Sequence, residues 1–309
     1  MQQAFIIGPV FLDIITAPLS KFPSPGEEQY IESLDLSPGG FSITAMSLAR
    51  LGVPCSLISA LGNDQLGLML KEQIQAGGVN TSFLKAFDGV QTNVSLAFPQ
   101  AGDRSFLTRS MGEANVLKGI LDALNEVPRK LVSHIHVNIA LLRNKDLLDF
   151  VKNCRALGAT VSLDLGWEEA QLWSTDDWKL VQLAEIFKPN ETEALRITGA
   201  ADILAALDIL ADYCPQPVIT QAAKGSFSID EKRKSIFMPS YKVTLKNAVG
   251  AGDAFTAGYL YGFLGGMGIS DCLKYGNAAG ALTAGSEFSS AKDMDIDRLK
   301  VMVSQGETV

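Results

Sequence analysis

Short apolar runs alternate with helical segments along most of the chain. The first run, Phe5-Ile6-Ile7, ends at Gly8, and similar runs follow at residues 55–60, 134–139, 160–165 and 217–220. Segments with the pattern of helices lie between some of these runs, at residues 41–51, 66–76 and 145–157. Strands that alternate with helices indicate βαβ units, so we expect an α/β protein with a central, mostly parallel sheet flanked by helices.

A different pattern occurs in two stretches of the N-terminal third. Between residues 91 and 98, the apolar residues Val94, Leu96 and Phe98 alternate with small or polar ones, which predicts a half-exposed strand. Residues 105–107 return after a turn. Residues 16–37, rich in proline, serine and acidic groups, contain a short predicted strand at 29–36. These pieces predict a small second sheet.

The composition narrows the class of protein. The chain has 309 residues, is 47% hydrophobic and carries a net charge of −8, which argues against binding to nucleic acid. Residues 1–15 are apolar but interrupted by Gly8, Pro9 and Asp13, so they predict a first buried strand and neither a signal peptide nor a membrane span. Four dispersed cysteines and two histidines make a zinc site improbable and favour reduced thiols in a cytoplasmic enzyme.

Residues 247–263 carry the most specific chemical pattern in the chain. Gly250, Ala251 and Gly252 leave the backbone exposed where an apolar helical pattern begins, and Asp253 follows at once. The first N–H groups of a helix have no partner within it, so small residues there let an anion approach. A carboxylate beside such a site suits phosphoryl transfer, because it can accept the proton of a hydroxyl. The alternative is a structural aspartate near the start of a core helix.

The segment Val249-Gly250-Ala251-Gly252-Asp253-Ala254-Phe255 resembles the C-terminal signature of the PfkB, or ribokinase-like, family of carbohydrate kinases. Two further segments resemble motifs of this family, the run from Gly39-Gly40 to Gly52 and the run Asn190-Glu191-Thr192-Glu193. The resemblance covers essentially the whole length. It implies one ribokinase-like domain over residues 1–309, with a small β-sheet lid at about 14–37 and 90–110. It also implies that Asp253 is the catalytic base and that the backbone of 250–252 is the anion hole.

The same resemblance implies a sugar pocket formed by Asp13, Gly39, Gly40, Thr44 and Asp253. Asp13 follows a predicted strand, at the edge where ligands of open α/β sheets bind. In the family an aspartate there binds sugar hydroxyls, and the di-glycine is the hinge of the lid. Most members have asparagine where this chain has Thr44, and a hydroxyl is shorter than an amide, so the identity of the sugar is not carried over.

The lid itself leaves two points open. Phe106 and Arg109 either support the lid or contact the sugar. An exposed face of such a sheet often serves for dimerisation, so we expect a homodimer through the lid.

ATP and Mg²⁺ are the cofactors that the resemblance implies. Asn190 and Glu193 are expected to hold Mg²⁺ through water, because this ion usually keeps several of its waters. The alternative is an acidic helix N-terminus without a metal. Contacts with the nucleotide are implied for Asn190, Thr220, Lys224, Gly225, Gly252 and Asn277.

Three departures from the family pattern bear on ion binding. Asn247 replaces the first aspartate of the signature, and Ser286-Glu287-Phe288 lacks the usual loop glycine. We therefore expect activation by a monovalent cation to be weak or absent. Asp164 is followed by Leu165-Gly166-Trp167 in place of the asparagine and arginine common in the family, so no phosphate contact is carried over there.

The sequence thus predicts an ATP-dependent kinase that phosphorylates a primary hydroxyl of a small sugar or sugar acid. One alternative is the same chemistry on a nucleoside or another small alcohol, since one fold hosts many acceptors. The other is a sugar-binding sensor without catalysis. Asp64 is expected to cap a helix, and His134 and His136 are expected to be structural.

Overall fold

The computed structural model describes residues 3–17, 19, 21–100, 103–286 and 294–309, and strands alternate with helices along them. The strands are β1 Gln3–Ile7, β2 Val10–Thr16, β3 Leu34–Gly40, β4 Cys55–Gly62, β5 Leu84–Phe87, β6 Val94–Gln100, β7 Asp103–Arg109, β8 Val132–Asn138, β9 Thr160–Asp164, β10 Ile186–Lys188, β11 Gln216–Pro217, β12 Ile219–Thr220, β13 Gly225–Ile229 and β14 Ser235–Pro239. The α-helices are α1 Phe41–Arg50, α2 Gln65–Ala76, α3 Glu113–Leu124, α4 Lys145–Ala156, α5 Trp167–Gln171, α6 Asp177–Val181, α7 Glu191–Thr198, α8 Ile203–Leu210, α9 Ala251–Leu264, α10 Ile269–Ala284 and α11 Ile296–Gln305.

The central sheet has the strand order β11-β10-β9-β8-β1-β4-β5, and all its neighbouring strands are parallel. In β1, Phe5 and Ile7 pack into one apolar cluster, and Ala4 and Ile6 pack into another. Successive side chains of a strand point to opposite faces, so β1 is buried on both. Helices α3, α4, α7 and α8 cover the first face, and α1, α2, α9 and α10 cover the second. The predicted α/β fold with a parallel central sheet is confirmed.

Four strands form a second sheet in the order β3-β2-β6-β7, as the N-terminal patterns predicted. The strand expected at 29–36 lies further along the chain, as β3, Leu34–Gly40. It pairs antiparallel with β2, with Leu34 opposite Thr16 and Gly40 opposite Val10. The di-glycine therefore ends this strand instead of following it. Gly40 is also the N-cap of α1.

Two predicted strands are each divided between sheets. The N-terminal run breaks at Gly8-Pro9, where an added Cβ at Gly8 would lie 2.4 Å from the ring of Phe41. The break lets the chain leave the central sheet as β1 and enter the second sheet as β2. Similarly, the run 217–220 is divided into β11, in the central sheet, and β12, in a three-stranded sheet with β13 and β14.

Small residues bring α9 and α10 close together. An added Cβ at Gly258 would lie 2.3 Å from the Tyr275 carbonyl oxygen, and one at Gly262 would lie 3.1 Å from Cys272. No helix within the described ranges is both long enough and apolar enough to cross a membrane. All four cysteines are buried and unpaired.

Candidate active site

The first turn of α9 has the features expected of an anion site. Gly250 caps the helix with φ 77° and ψ 1°, a left-handed conformation that glycine adopts without strain. An added Cβ at Gly250 would also lie 2.8 Å from Ile43 Cδ1. At Gly252, by contrast, an added Cβ would meet no atom within 4 Å, and no group in the described part of the chain accepts from its N–H. The positive end of the helix therefore offers an uncommitted N–H and open space.

Asp253 lies in this turn, close enough to Asp13 of the second sheet for their charges to interact. Asp13 is only 6% exposed. Burial, and to a lesser extent the negative charge of Asp253, raises the pKa of the Asp13 carboxyl to about 7. Carboxylates accept hydrogen bonds, so this pair suits a ligand that carries several hydroxyl groups.

The di-glycine lies directly against Asp13. An added Cβ at Gly39 would lie 2.2 Å from Asp13 Oδ2, so only glycine leaves room for this carboxylate. Gly40 has φ 62°, and an added Cβ there would lie 2.6 Å from the Pro9 carbonyl oxygen. The structure thus brings the predicted residues Asp13, Gly39 and Gly40 together beside Asp253.

Thr44 is fully buried in α1, and its hydroxyl is already engaged. Thr44 Oγ1 donates to the carbonyl oxygen of Asp253 at 3.3 Å, which ties α1 to the first turn of α9. Thr44 thus lies beside Asp253, with which it was expected to share a pocket, whereas a direct contact with the substrate remains a prediction.

The strand β6 is half-exposed, but its apolar residues lie on the more exposed face. Ser95 and Ala97 are buried, whereas Val94, Leu96 and Phe98 are only partly buried. The physical reason is that the inner face of the second sheet covers a polar site, so its small and polar residues point inward.

Strand register places Ser37, Asp13, Ser95 and Thr108 in one row across this inner face. Ser95 Oγ and Thr108 Oγ1 are 2.9 Å apart and hydrogen-bonded. We name these four residues the polar row. Sequence reasoning identified only Asp13 among them, although the alternation in β6 was the signal that could have found Ser95.

The next row of the sheet connects it to the anion site. Ile15 and Ala97 pack against Val249, the residue before Gly250. The second sheet is therefore seated on the segment that begins α9. Arg109, at the end of β7, donates to the carbonyl oxygen of Thr92, and Phe106 is 44% exposed.

Asn190 and Glu193 form a reciprocal capping box at the start of α7. Asn190 Oδ1 accepts from the Glu193 N–H at 2.9 Å, and Glu193 Oε2 accepts from the Asn190 N–H at 2.8 Å. Burial raises the pKa of the Glu193 carboxyl to about 7, against the opposing effects of the Asn190 N–H and Lys188. The second oxygen of this carboxyl is outside the capping box, which fits a residue that holds the water shell of Mg²⁺.

The predicted nucleotide residues lie next to this capping box. Thr220 forms a parallel bridge with Asn190, and the following turn is closed by the Gln221 N–H, which donates to the Gly225 carbonyl at 2.8 Å. Gly225 has φ 133°, and an added Cβ would lie 2.2 Å from the Met238 carbonyl oxygen. Lys224 is exposed in this turn. The arrangement exposes backbone and an ammonium group beside α7, which fits a triphosphate.

Asn277 of α10 is buried beside the end of β14. Its Nδ2 donates to the carbonyl oxygens of Met238, at 2.9 Å, and Pro239, at 3.2 Å. This side chain fixes α10 against the three-stranded sheet.

Sequence reasoning missed Lys188, the last residue of β10. It is 9% exposed, and its Nζ lies 3.1 Å from Asp164 Oδ1, because parallel register places the two residues side by side at the ends of β10 and β9. Burial alone would lower the pKa of this ammonium, but Asp164, Glu193 and Asp253 raise it above its ordinary value. A positive charge therefore lies close enough to Asp253 for the two charges to interact.

Asn247 is 5% exposed, and only one of the two polar atoms of its side-chain amide has a hydrogen-bond partner among the described residues. Its Oδ1 accepts from the Val249 N–H at 2.9 Å, while its Nδ2 has no hydrogen-bond partner within the described residues. The remaining group on this side chain is thus a donor. Residues 287 and 288 of the segment that lacks the usual glycine lie outside the described residues.

Asp64 caps α2, as predicted. Its Oδ1 accepts from the Gly67 N–H at 2.8 Å and from the Thr92 hydroxyl at 2.7 Å, and its Oδ2 accepts from the Thr92 N–H at 2.9 Å.

Comparison with known proteins identifies the class to which this fold and site belong. The chain belongs to the pfkB family of carbohydrate kinases, whose family model matches residues 1–294. It is accordingly an ATP-dependent carbohydrate kinase.

The chain is 26% identical over 282 residues to the ATP-dependent ribose-1-phosphate kinase of Halopiger xanaduensis, with 88% of this chain and 89% of the relative covered. It is 27% identical over 291 residues to the ribokinase of Haemophilus influenzae, with 90% of each covered. Among solved structures, a ribokinase II of E. coli in complex with ATP and Mg²⁺ shares its fold, with a TM-score of 0.82, 21% identity and coverage of 99% of this chain and 100% of the other.

Proposed function

We propose that this kinase transfers the γ-phosphoryl group of ATP to a hydroxyl, preferably primary, of a small sugar or sugar acid. The observation that carries this proposal is the position of Asp253. It lies in the first turn of α9, beside the open space at Gly252, and its charge acts on the buried carboxyl of Asp13. A substrate hydroxyl placed between Asp13 and Asp253 would lie beside both a general base, Asp253, and an anion site, the open space at Gly252.

Asp253 acts as the general base and takes the proton of the attacking hydroxyl. Such a base typically contributes about 10²–10⁴-fold to the rate. The backbone of Gly250, Ala251 and Gly252 forms the anion hole, because N–H groups at a helix N-terminus stabilise charge that develops on the phosphoryl oxygens.

Asp13 and the di-glycine orient the acceptor. Thr44 of α1 fixes the first turn of α9 through its hydrogen bond to the Asp253 carbonyl oxygen. The second sheet is the lid, formed by segments at about 14–37 and 90–110 of a single domain that spans residues 1–309. Its closure would exclude water before transfer.

The nucleotide is held on the other side of the first turn of α9. Asn190, Thr220, Lys224, Gly225, Gly252 and Asn277 would line its site. Asn190 and Glu193 would hold Mg²⁺ through water. When bound, Mg²⁺ supplies charge neutralisation on the phosphate oxygens.

The polar row supports an acceptor whose contact with the lid is uncharged. Three of its four residues are hydroxyls, and the fourth is a carboxyl. A phosphate group placed against Asp13 would be repelled by that carboxylate. Uncharged hydroxyl groups can hydrogen-bond to Asp13, Ser95 and Thr108, whereas Ser37 is fully buried and donates to Asp35.

The experiment that tests the function is release of ADP from Mg·ATP with a panel of sugars, sugar acids, sugar phosphates and nucleosides. Asp253→Asn serves as the blank. Turnover of a sugar or sugar acid in the wild type alone supports the proposal. Turnover of nucleosides only would reassign the acceptor, and sugar binding without ADP release would favour a sensor.

We also propose that the protein is a homodimer through the second sheet. Leu34 and Leu107 of its edge strands are 51% and 63% exposed. Light scattering during gel filtration measures the mass directly. Replacing both leucines with glutamate should convert a dimer to a monomer, whereas a wild-type monomer would contradict the proposal.

A further inference from the structure

A hydrogen bond between two side chains joins the turn after β12 to helix α7. Gln221 Nε2 donates to Glu191 Oε1 at 3.0 Å, and both residues are half-buried. A carboxylate can only accept, so this contact fixes the orientation of the Gln221 amide. Glu191 is the first residue of α7 and lies between Asn190 and Glu193, the two residues of the capping box. The bond therefore connects the turn to the segment that is expected to hold Mg²⁺.

The turn is a hairpin loop between the antiparallel strands β12 and β13. The Gln221 N–H closes it by donating to the Gly225 carbonyl oxygen at 2.8 Å, and Ala222, Ala223 and Lys224 are exposed in between. In the part of the chain that the structure describes, neither the Ala222 N–H nor the Ala223 N–H has a hydrogen-bond acceptor. Successive free N–H groups in a turn form a concave site for an anion. The loop thus presents two N–H groups and one ammonium group to the nucleotide.

The backbone of this loop is held in a conformation that its residues do not favour. Ala222 has φ 48°, in the left-handed region that residues with a Cβ rarely adopt. Contacts from outside the loop must therefore maintain it. On the side of β14, the Ser240 N–H donates to the Lys224 carbonyl oxygen at 3.2 Å. On the side of α7, the described contact is the bond between Gln221 and Glu191.

Backbone contacts between β12 and the start of α7 stop one residue before the loop. Thr220 forms a parallel bridge with Asn190, and its N–H donates to the Pro189 carbonyl oxygen at 3.2 Å. The next N–H, that of Gln221, is used within the hairpin. The connection to α7 therefore continues through the Gln221 side chain.

We propose that Gln221 is a positioning residue for the phosphates of ATP and acts through its bond to Glu191. The bond fixes the loop relative to the capping box, so that the loop N–H groups and the Glu193 carboxyl face the same triphosphate. This inference rests on the proposed function, which places the nucleotide at this turn. Without the bond, the loop can relax away from α7, which weakens contacts with the phosphates and leaves those with the nucleoside unchanged.

Titration calorimetry with Mg·ATP and with adenosine tests the positioning without relying on turnover. Gln221→Leu removes the donor and should weaken Mg·ATP binding about tenfold, the effect expected when a hydrogen bond to a charged group is lost. Adenosine binding should stay within about twofold of the wild type, because adenosine has no phosphate for the loop to contact. Equal weakening of both ligands, or of neither, would overturn the proposal. Gln182→Leu is the matched control, since Gln182 is exposed at the end of α6, and it should bind Mg·ATP as the wild type does.

A double-mutant cycle shows whether Gln221 acts through Glu191. Glu191→Gln keeps an oxygen acceptor and should bind Mg·ATP within about twofold of the wild type, whereas Glu191→Leu should resemble Gln221→Leu. Combining Gln221→Leu with Glu191→Leu should cause no further loss, because both changes remove the same bond. Additive losses, roughly 100-fold in total, would mean that the two residues act separately and would contradict the proposal.

Turnover and thermal unfolding separate positioning from a merely structural role. Gln221→Leu should raise KM for ATP about tenfold and leave kcat and KM for the acceptor within about twofold. Lower stability with an unchanged KM for ATP would refute the positioning. If Gln221→Leu does not fold, Glu191→Leu measures loss of the same bond. Lack of transfer to any acceptor by the wild type would refute the proposed function, while the calorimetric comparison would still decide this inference.

Discussion

Replacing Gly252 with alanine should make the protein more stable and less active. Gly252 lies within α9, where alanine is favoured over glycine by about 0.5–1 kcal/mol. An added Cβ meets no atom within 4 Å, so the methyl group of alanine causes no steric clash in the folded chain. It would, however, occupy the space that the proposed function assigns to the phosphoryl group. Alanine keeps the backbone N–H, but its methyl group would hold the phosphoryl group away from this donor. Losing the use of one anion-hole donor costs roughly 10²–10³ in turnover, so a fall of about 100-fold is expected.

Thermal unfolding and ADP release on the same preparations measure the two effects. Gly268→Ala is a matched control, since an added Cβ at this N-cap of α10 also meets no atom within 4 Å, and it should keep full turnover. Gly250→Ala should instead destabilise the fold by about 1–2 kcal/mol, because φ is 77° there. Near-normal turnover of Gly252→Ala would refute the assignment of the anion hole.

Three further predictions concern residues around this turn. The raised pKa of Asp13 means that the folded state binds this proton more tightly than the unfolded state does, so stability is lost as pH rises from about 4 through 7. Asp13→Asn should therefore raise the free energy of unfolding, measured in urea, by on the order of 2–4 kcal/mol at about pH 8 and by little near pH 4. An equal gain in stability at both pH values would contradict this prediction. Potassium should leave wild-type turnover unchanged, because Asn247 offers an N–H donor where a cation needs an oxygen ligand. Asn247→Asp should introduce activation by potassium. Strong activation of the wild type by potassium would contradict this prediction. Thr44→Val should cost about 1 kcal/mol of stability and lower kcat, through loss of the bond to Asp253, whereas a rise in KM for the acceptor alone would indicate a sugar contact.

The main layers of the fold could be predicted because each strand and helix carries its own periodic signal. The short apolar runs at residues 5–7, 55–60, 134–139 and 160–165 became the strands β1, β4, β8 and β9 of the central sheet. The division at Gly8-Pro9 could not be predicted, since an apolar run does not show which sheet will pair with it. It depends on the ring of Phe41, which is distant in sequence.

The inner face of the second sheet shows a second limit of sequence reasoning. A period of two separates the faces of β6 but does not show what each face covers. Ser95 became interpretable only when register placed it beside Asp13.

Candidate site residues could be named where they lie in one local motif, and not where distant strands bring them together. The segment around Asp253 and the capping box of Asn190 and Glu193 are contiguous in sequence. Lys188 acquires its importance from Asp164 on the neighbouring strand, and this pairing is not visible from spacing along the chain.

The most direct test of the account is the turnover of Asp253→Asn with the acceptor that the wild type phosphorylates. Turnover should fall by about 10²–10⁴-fold, with binding of ATP and acceptor retained and the fold intact by thermal unfolding. Turnover close to that of the wild type would show that Asp253 is not the general base.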